Sequence, residues 1–150
     1  MCYHYLVIVV LDTNVFVAAT LGPKGASRAV LRACLTGQLQ PLMGAALFAE
    51  YESLMSRTSL FAACPLSPAE RESLLNAFLS VCRWTNIYYG WRPNLQDEAD
   101  NHLIELAVAG GAEAIVTKNV RHFRSAELHF PGLRILRPEE ILKERRSWEP

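Results

Sequence analysis

Residues 6 to 16 read "LVIVVLDTNVF": an unbroken aliphatic run, Leu6 to Leu11, stops at Asp12, which Thr13 and Asn14 follow. Val and Ile without polar alternation suit a strand covered on both faces, as in a parallel sheet. A carboxylate at the end of such a strand leaves water at a cost unless it is paired or meets a cation. Asp12 therefore demands a partner from elsewhere in the chain.

Beyond Asp12, "TNVFVAATL" predicts a short helix broken by "GPKG" at 22 to 25. "ASRAVLRACLTG" then sets Ala29, Val30, Ala33 and Cys34 at helical spacing and ends on Gly37, a C-terminal cap. "QLQPLMG" reads as a second strand, short and interrupted by proline. From Ala45 to about Ser59 a helix carries Leu47, Glu50, Tyr51 and Leu54 on one stripe, so Glu50 points the same way as apolar neighbours, which is unusual for a glutamate. The segment 66 to 82 opens with Ser67 as N-cap, Pro68 at the first helical position and Glu70 completing a capping box. "WTNIYY" at 84 to 89 predicts a third strand, "GWRPNLQ" a loop, and the stretch from about Glu98 to Ala109 a helix. "AEAIVT" at 112 to 117 and "LRIL" at 133 to 136 are the fourth and fifth strands, and "PEEILKERR" a closing helix with Pro138 at its start.

Strands alternating with helices predict an α/β fold: a mostly parallel sheet of about five strands, helices on both faces, right-handed crossovers. In that architecture ligands bind beyond the carboxyl ends of the strands, where Asp12 stands. At 150 residues the chain is expected to form a single domain with a real core, and it holds no internal repeat. Its 15 basic and 15 acidic residues cancel, which excludes attraction of nucleic acid by global charge and leaves such work to a local patch or a metal. Cys2, Cys34, Cys64 and Cys82 are scattered, and His4, His102 and His129 lack the spacing of a metal set, so a structural zinc is not expected. Leu6 to Leu11 is too short for a membrane span, has no Lys or Arg before it and stops at an aspartate; a cytoplasmic protein with reduced thiols is the expectation.

Three further places put polar oxygens where Asp12 needs them. Asp97 and Asp100 open the helix "DEADNHLIELAVAG", Thr117, Lys118 and Asn119 follow the fourth strand, and Glu50 lies on its helix. Carboxylates drawn onto one face repel one another unless a divalent cation sits between them, and oxygen ligands suit Mg²⁺ or Mn²⁺.

Taken in order, "VVLDTNVF", "FAEYESLM" and "DEADNHLIELAVAGGAEAIVTKNVRHF" resemble the PIN-domain ribonucleases, and most closely the toxin subunits of VapC-like toxin-antitoxin pairs, over about residues 5 to 143. The resemblance implies a three-layer α/β/α fold, an acidic cluster binding Mg²⁺ or Mn²⁺, and cleavage of single-stranded RNA. Asp12 matches the family's first acidic position, Glu50 the second and Asp100 the third, with Asp97 as an additional aspartate three residues earlier. At the fourth position the family usually has T-x-D, whereas this chain has Thr117, Lys118 and Asn119. Asn119 offers an oxygen but no charge, which weakens the case for a second tightly held metal. A T-x-N followed by His122 and Phe123 is similar to a subgroup of the family.

Metal-assisted hydrolysis follows from the resemblance, with Asp12, Asp100 and Glu50 as metal-holding and catalytic residues. Thr13 or Asn14 is expected to hydrogen-bond a carboxylate or a phosphate oxygen, and Arg121, Lys118 and Lys24 to contact phosphates. His122 reads as structural or as a substrate contact. Among the aromatics Trp84, Tyr88, Tyr89 and Trp91, strand positions are core by default and Trp91 is the exposed one. A cognate antitoxin and a homodimer are the implied partners. Two other functions remain: a PIN-like RNA- or protein-binding module without catalysis, which Asn119 supports, and a housekeeping RNA-processing nuclease. A phosphatase of the haloacid dehalogenase type needs a second aspartate where Asn14 stands.

Overall fold

The computed structural model of the chain describes residues 6–22, 25–87 and 101–144. Lys24, Tyr88, Tyr89, Trp91, Asp97 and Asp100, with the expected loop at 90 to 96 and the start of its helix, lie outside them.

β1 is Val7–Leu11, and α1 (Thr13–Leu21) and α2 (Ala26–Leu35) follow it. β2 is Leu39–Met43, α3 Ala45–Met55, α4 Pro68–Val81 and β3 Arg83–Trp84. α5 is Asn101–Gly110, β4 Ala114–Val116, α6 Arg124–His129, β5 Arg134–Leu136 and α7 Pro138–Lys143. The strands lie in the order β3-β2-β1-β4-β5, every neighbouring pair parallel, as helical crossovers between strands require. With helices packed against it, this sheet forms a three-layer α/β/α fold.

Burial explains the opening run. Val9, Val10 and Leu11 are fully buried, because β1 is the middle strand. Phe16 of α1, Tyr51 of α3 and Phe78 of α4 meet in one aromatic cluster, with ring centroids 5.6 to 6.0 Å apart. Ser67 caps α4 as expected, with Glu70 closing the capping box. Gly37 takes the left-handed backbone (φ +85°) just after α2, a conformation open to glycine at little cost. Pro41 is tolerated inside β2 because β3 pairs only with Leu42 and Met43. Beside it the Gln40 side-chain amide donates to the carbonyls of Pro41 (2.8 Å) and Val81 (3.0 Å).

Four features differ from expectation. α3 ends at Met55, not near Ser59, and the chain re-forms as a 3-10 turn at Thr58–Phe61 that buries Phe61. β3 is two residues long, and Thr85 to Ile87 are not strand. A 3-10 turn at Val120–Phe123 leading into α6 was not foreseen; it buries Val120, Phe123 and Ala126. Trp84 is also 54% exposed rather than core, its ring meeting Phe48 edge-on at 5.5 Å. No helix among the described residues is long and apolar enough to cross a membrane.

Candidate active site at the carboxyl ends of β1 and β4

Asp12 follows β1, Thr117 follows β4, and α3 begins two residues after β2, so the parallel sheet delivers all three to one edge. The Asp12 backbone N–H donates to Val116 O at 3.0 Å, extending the β1–β4 ladder to the carboxylate itself.

Asp12 stands at the N-cap of α1, yet its side chain makes no capping bond. Its carboxylate turns into the site instead. Oδ2 accepts the Thr117 hydroxyl at 2.8 Å and the Asn14 amide at 3.4 Å. Thr117 Oγ1 in turn accepts the Asn119 backbone N–H (3.0 Å) and Asn14 Nδ2 (3.4 Å). One donated and two accepted bonds use up what a hydroxyl offers, so Thr117 is locked in orientation. Asn14 Oδ1 accepts the Lys118 backbone N–H at 3.2 Å, which ties the start of α1 to the chain leaving β4.

Glu50 reaches the same place from α3. The Thr13 hydroxyl lies 2.9 Å from Glu50 Oε1 and 3.4 Å from Asp12 Oδ1; it has one proton, and the shorter contact takes it. His102 Nε2 meets Glu50 Oε2 at 2.8 Å. Next to Glu50, the Tyr51 hydroxyl donates to Leu11 O at 2.9 Å, pinning α3 to the residue before Asp12.

The two carboxylates are held in opposite ways. Burial pushes the Asp12 carboxyl above the ordinary aspartate range; the Thr117 hydroxyl opposes that push and the negative Glu50 adds to it. Glu50 is drawn below its ordinary range, chiefly by the His102 bond; burial opposes this, and the Thr13 bond adds to the lowering. A desolvated carboxylate next to a second, ionised one is a place where a cation lowers the energy of both.

Among the sequence-predicted residues, Asp12, Thr13, Asn14, Glu50 and Thr117 therefore meet in one network. Lys118 and Asn119 join it through backbone N–H groups only; the Asn119 side chain is exposed and makes no hydrogen bond among the described residues. Arg121 is exposed on the turn after β4. Asp97, Asp100 and Lys24 fall outside the described residues. His102 is the member the sequence did not reveal, because its partner is 52 residues away and no local spacing marks it.

The PIN domain pattern matches residues 8–121 of this chain, from β1 to the turn that follows β4. The chain belongs to the PIN-domain family. No curated protein matches it. Its fold is similar to a chain in the crystal structure of VapBC2 from Rickettsia felis bound to a DNA fragment from their promoter. That likeness has a TM-score of 0.56 at 17% identity and covers 87% of this chain and 98% of the other.

PIN nucleases generally use divalent metals, and the residues here fit one. The oxygens facing one another are those of carboxylates and a hydroxyl, the kind hard divalent cations prefer. Asp12 and Glu50 are the two carboxylates the described residues bring together; among those residues no group of three or more His, Cys, Asp or Glu could hold a metal.

Proposed function

We propose that this PIN domain is a metal-dependent endoribonuclease that hydrolyses phosphodiester bonds of single-stranded RNA, and that it serves as the toxin of a toxin-antitoxin pair. One observation carries the reading: Asp12 occupies an N-cap position without capping, and its buried carboxylate faces Glu50 through Thr13. A helix-capping role leaves that arrangement unexplained; a shared cation explains it.

Asp12 and Glu50, joined by Asp100, are the residues to hold Mg²⁺ or Mn²⁺, which when bound supplies polarisation of the scissile phosphate and activation of the attacking water. Thr117 and Asn14 fix the Asp12 carboxylate in rotation, and Thr13 fixes Glu50. Lys118, Arg121 and Lys24 are the candidates to contact phosphates, since a chain of zero net charge must attract RNA locally. Asp97 is a supporting carboxylate. Asn119 adds no charge, which favours one tightly held metal.

The fold likeness to VapBC2 supports a cognate antitoxin as protein partner, and a homodimer in the cytoplasm completes the proposal. The test is cleavage of a mixed-sequence single-stranded RNA by the purified full chain with Mg²⁺ or Mn²⁺, beside EDTA and an Asp12→Asn variant. Cleavage that needs metal and Asp12 is expected. A folded, partner-free protein that leaves RNA intact under both metals is instead a binding module. Growth arrest on expression, relieved by co-expressing a small neighbouring gene, separates a toxin from a housekeeping nuclease.

A further inference from the structure

His102 sits in the first turn of α5, a helix otherwise built for the core: Leu103, Ile104, Leu106 and Ala107 are all buried. Its ring has two nitrogens and, among the described residues, one polar contact. Nε2 meets Glu50 Oε2 at 2.8 Å, while Nδ1 is buried with no hydrogen-bond partner among the described residues. A carboxylate only accepts, so Nε2 carries the hydrogen and donates it. Leaving a buried polar atom unbonded costs about 1–3 kcal/mol, a cost an aliphatic residue at this position avoids. The one polar return on it is the bond to Glu50.

Glu50 needs that bond. Thr13 holds Oε1 at 2.9 Å and His102 holds Oε2 at 2.8 Å, one donor on each oxygen. The two donors fix the carboxylate plane while each oxygen keeps a second lone pair. The glutamate side chain is 36% exposed, and among the described residues these two hydrogen bonds are what hold it in place against water.

We infer that His102 is the positioning residue for Glu50, presenting its carboxylate to the cation through the Nε2–H bond, with Thr13 as the second clamp. This rests on the reading of Asp12 and Glu50 as holders of a divalent cation. The histidine is not itself a ligand: Nδ1 is buried, and Nε2 is committed to Glu50.

The test is Mn²⁺ binding by isothermal titration calorimetry to the full-length protein and to His102→Leu, His102→Gln and Asp12→Asn, with RNA cleavage measured separately. Loss of such an orienting partner typically weakens metal affinity roughly 10- to 100-fold. His102→Leu is expected to show that loss, and His102→Gln, which keeps an amide N–H at a similar reach, to recover most of it. At saturating Mn²⁺ the cleavage defect of His102→Leu should shrink. Unchanged or tighter binding in a folded His102→Leu, with Asp12→Asn still abolishing it, overturns the inference alone. Unchanged binding in Asp12→Asn overturns the metal reading beneath it. If His102→Leu does not fold, the ¹⁵N spectrum of the wild-type ring decides: hydrogen on Nε2 is expected, and hydrogen on Nδ1 contradicts the proposal.

Discussion

Removing one oxygen, in Tyr51→Phe, isolates the bond that sets α3 against β1. The ring packs edge-on against Phe16 at 5.6 Å and beside Phe78 at 5.8 Å, contacts that phenylalanine retains. Burial pushes the Tyr51 hydroxyl well above its ordinary pKa, with the negative Asp12 adding to the effect, so it is an O–H donor at any working pH. What disappears is the 2.9 Å bond to Leu11 O and the partner of a carbonyl in a fully buried residue. A net hydrogen bond plus a poorly satisfied buried acceptor amounts to about 1–2 kcal/mol. At this chain length that is a fall in Tm of roughly 2–8 °C. Urea unfolding should show a lower midpoint at an unchanged m-value, since the native state exposes no new surface. Tyr51 also flanks Glu50, so slackening here should weaken Mn²⁺ binding. A variant as stable as the wild type, with unaltered Mn²⁺ affinity, would refute the claim that this hydroxyl fixes α3 at the site.

Asp12→Asn should be more stable than the wild type at neutral pH, by about 0.5–2 kcal/mol, while losing metal binding, a trade common at functional sites. The folded pKa of Asp12 lies above the unfolded value, so its ionisation opposes folding above the raised value and has no effect well below the ordinary aspartate range. The gap between variant and wild type should therefore narrow on acidification, as read by urea midpoints across pH; a less stable variant at pH 7 contradicts this. Ser67→Ala, which removes the cap of α4, should cost about 1 kcal/mol in the same assay. Glu70 in that box is held below its ordinary pKa by the Ser67 backbone and side-chain bonds. Its contribution is present above the unfolded value and lost as pH falls through the folded one, and Glu70→Gln should remove that part of the pH dependence. Gly110→Ala places a Cβ 2.3 Å from Leu42 Cδ1 in the closed core, and overpacking of about 1–3 kcal/mol should appear as a lower midpoint.

The parts legible in the sequence were those that one segment encodes by itself. The run Leu6 to Leu11 announces a central strand because both its faces are buried, and Ser67, Pro68 and Glu70 announce a helix start because their bonds are local. The length of β3 was not legible: "WTNIYY" has the β-formers of a long strand, but pairing with β2 at Leu42 and Met43 decides where it stops. The turn and helix from Val120 to His129 were hidden among Arg and His residues, although Val120, Phe123 and Ala126 repeat every third position as a 3-10 turn running into a helix would have them. In the site, Asp12 and Glu50 stood out as acidic residues in apolar surroundings. His102 did not, since a single contact across 52 residues gave it its place, and only the fold brings the two together.

The role of the carboxylate that ends β1 is most directly tested by anomalous diffraction from a crystal grown with Mn²⁺. The expected result is a manganese peak within coordination distance of Asp12 and Glu50 oxygens, absent from crystals of Asp12→Asn. Manganese bound only elsewhere, with Asp12 still bonded to Thr117 and turned from it, would contradict it.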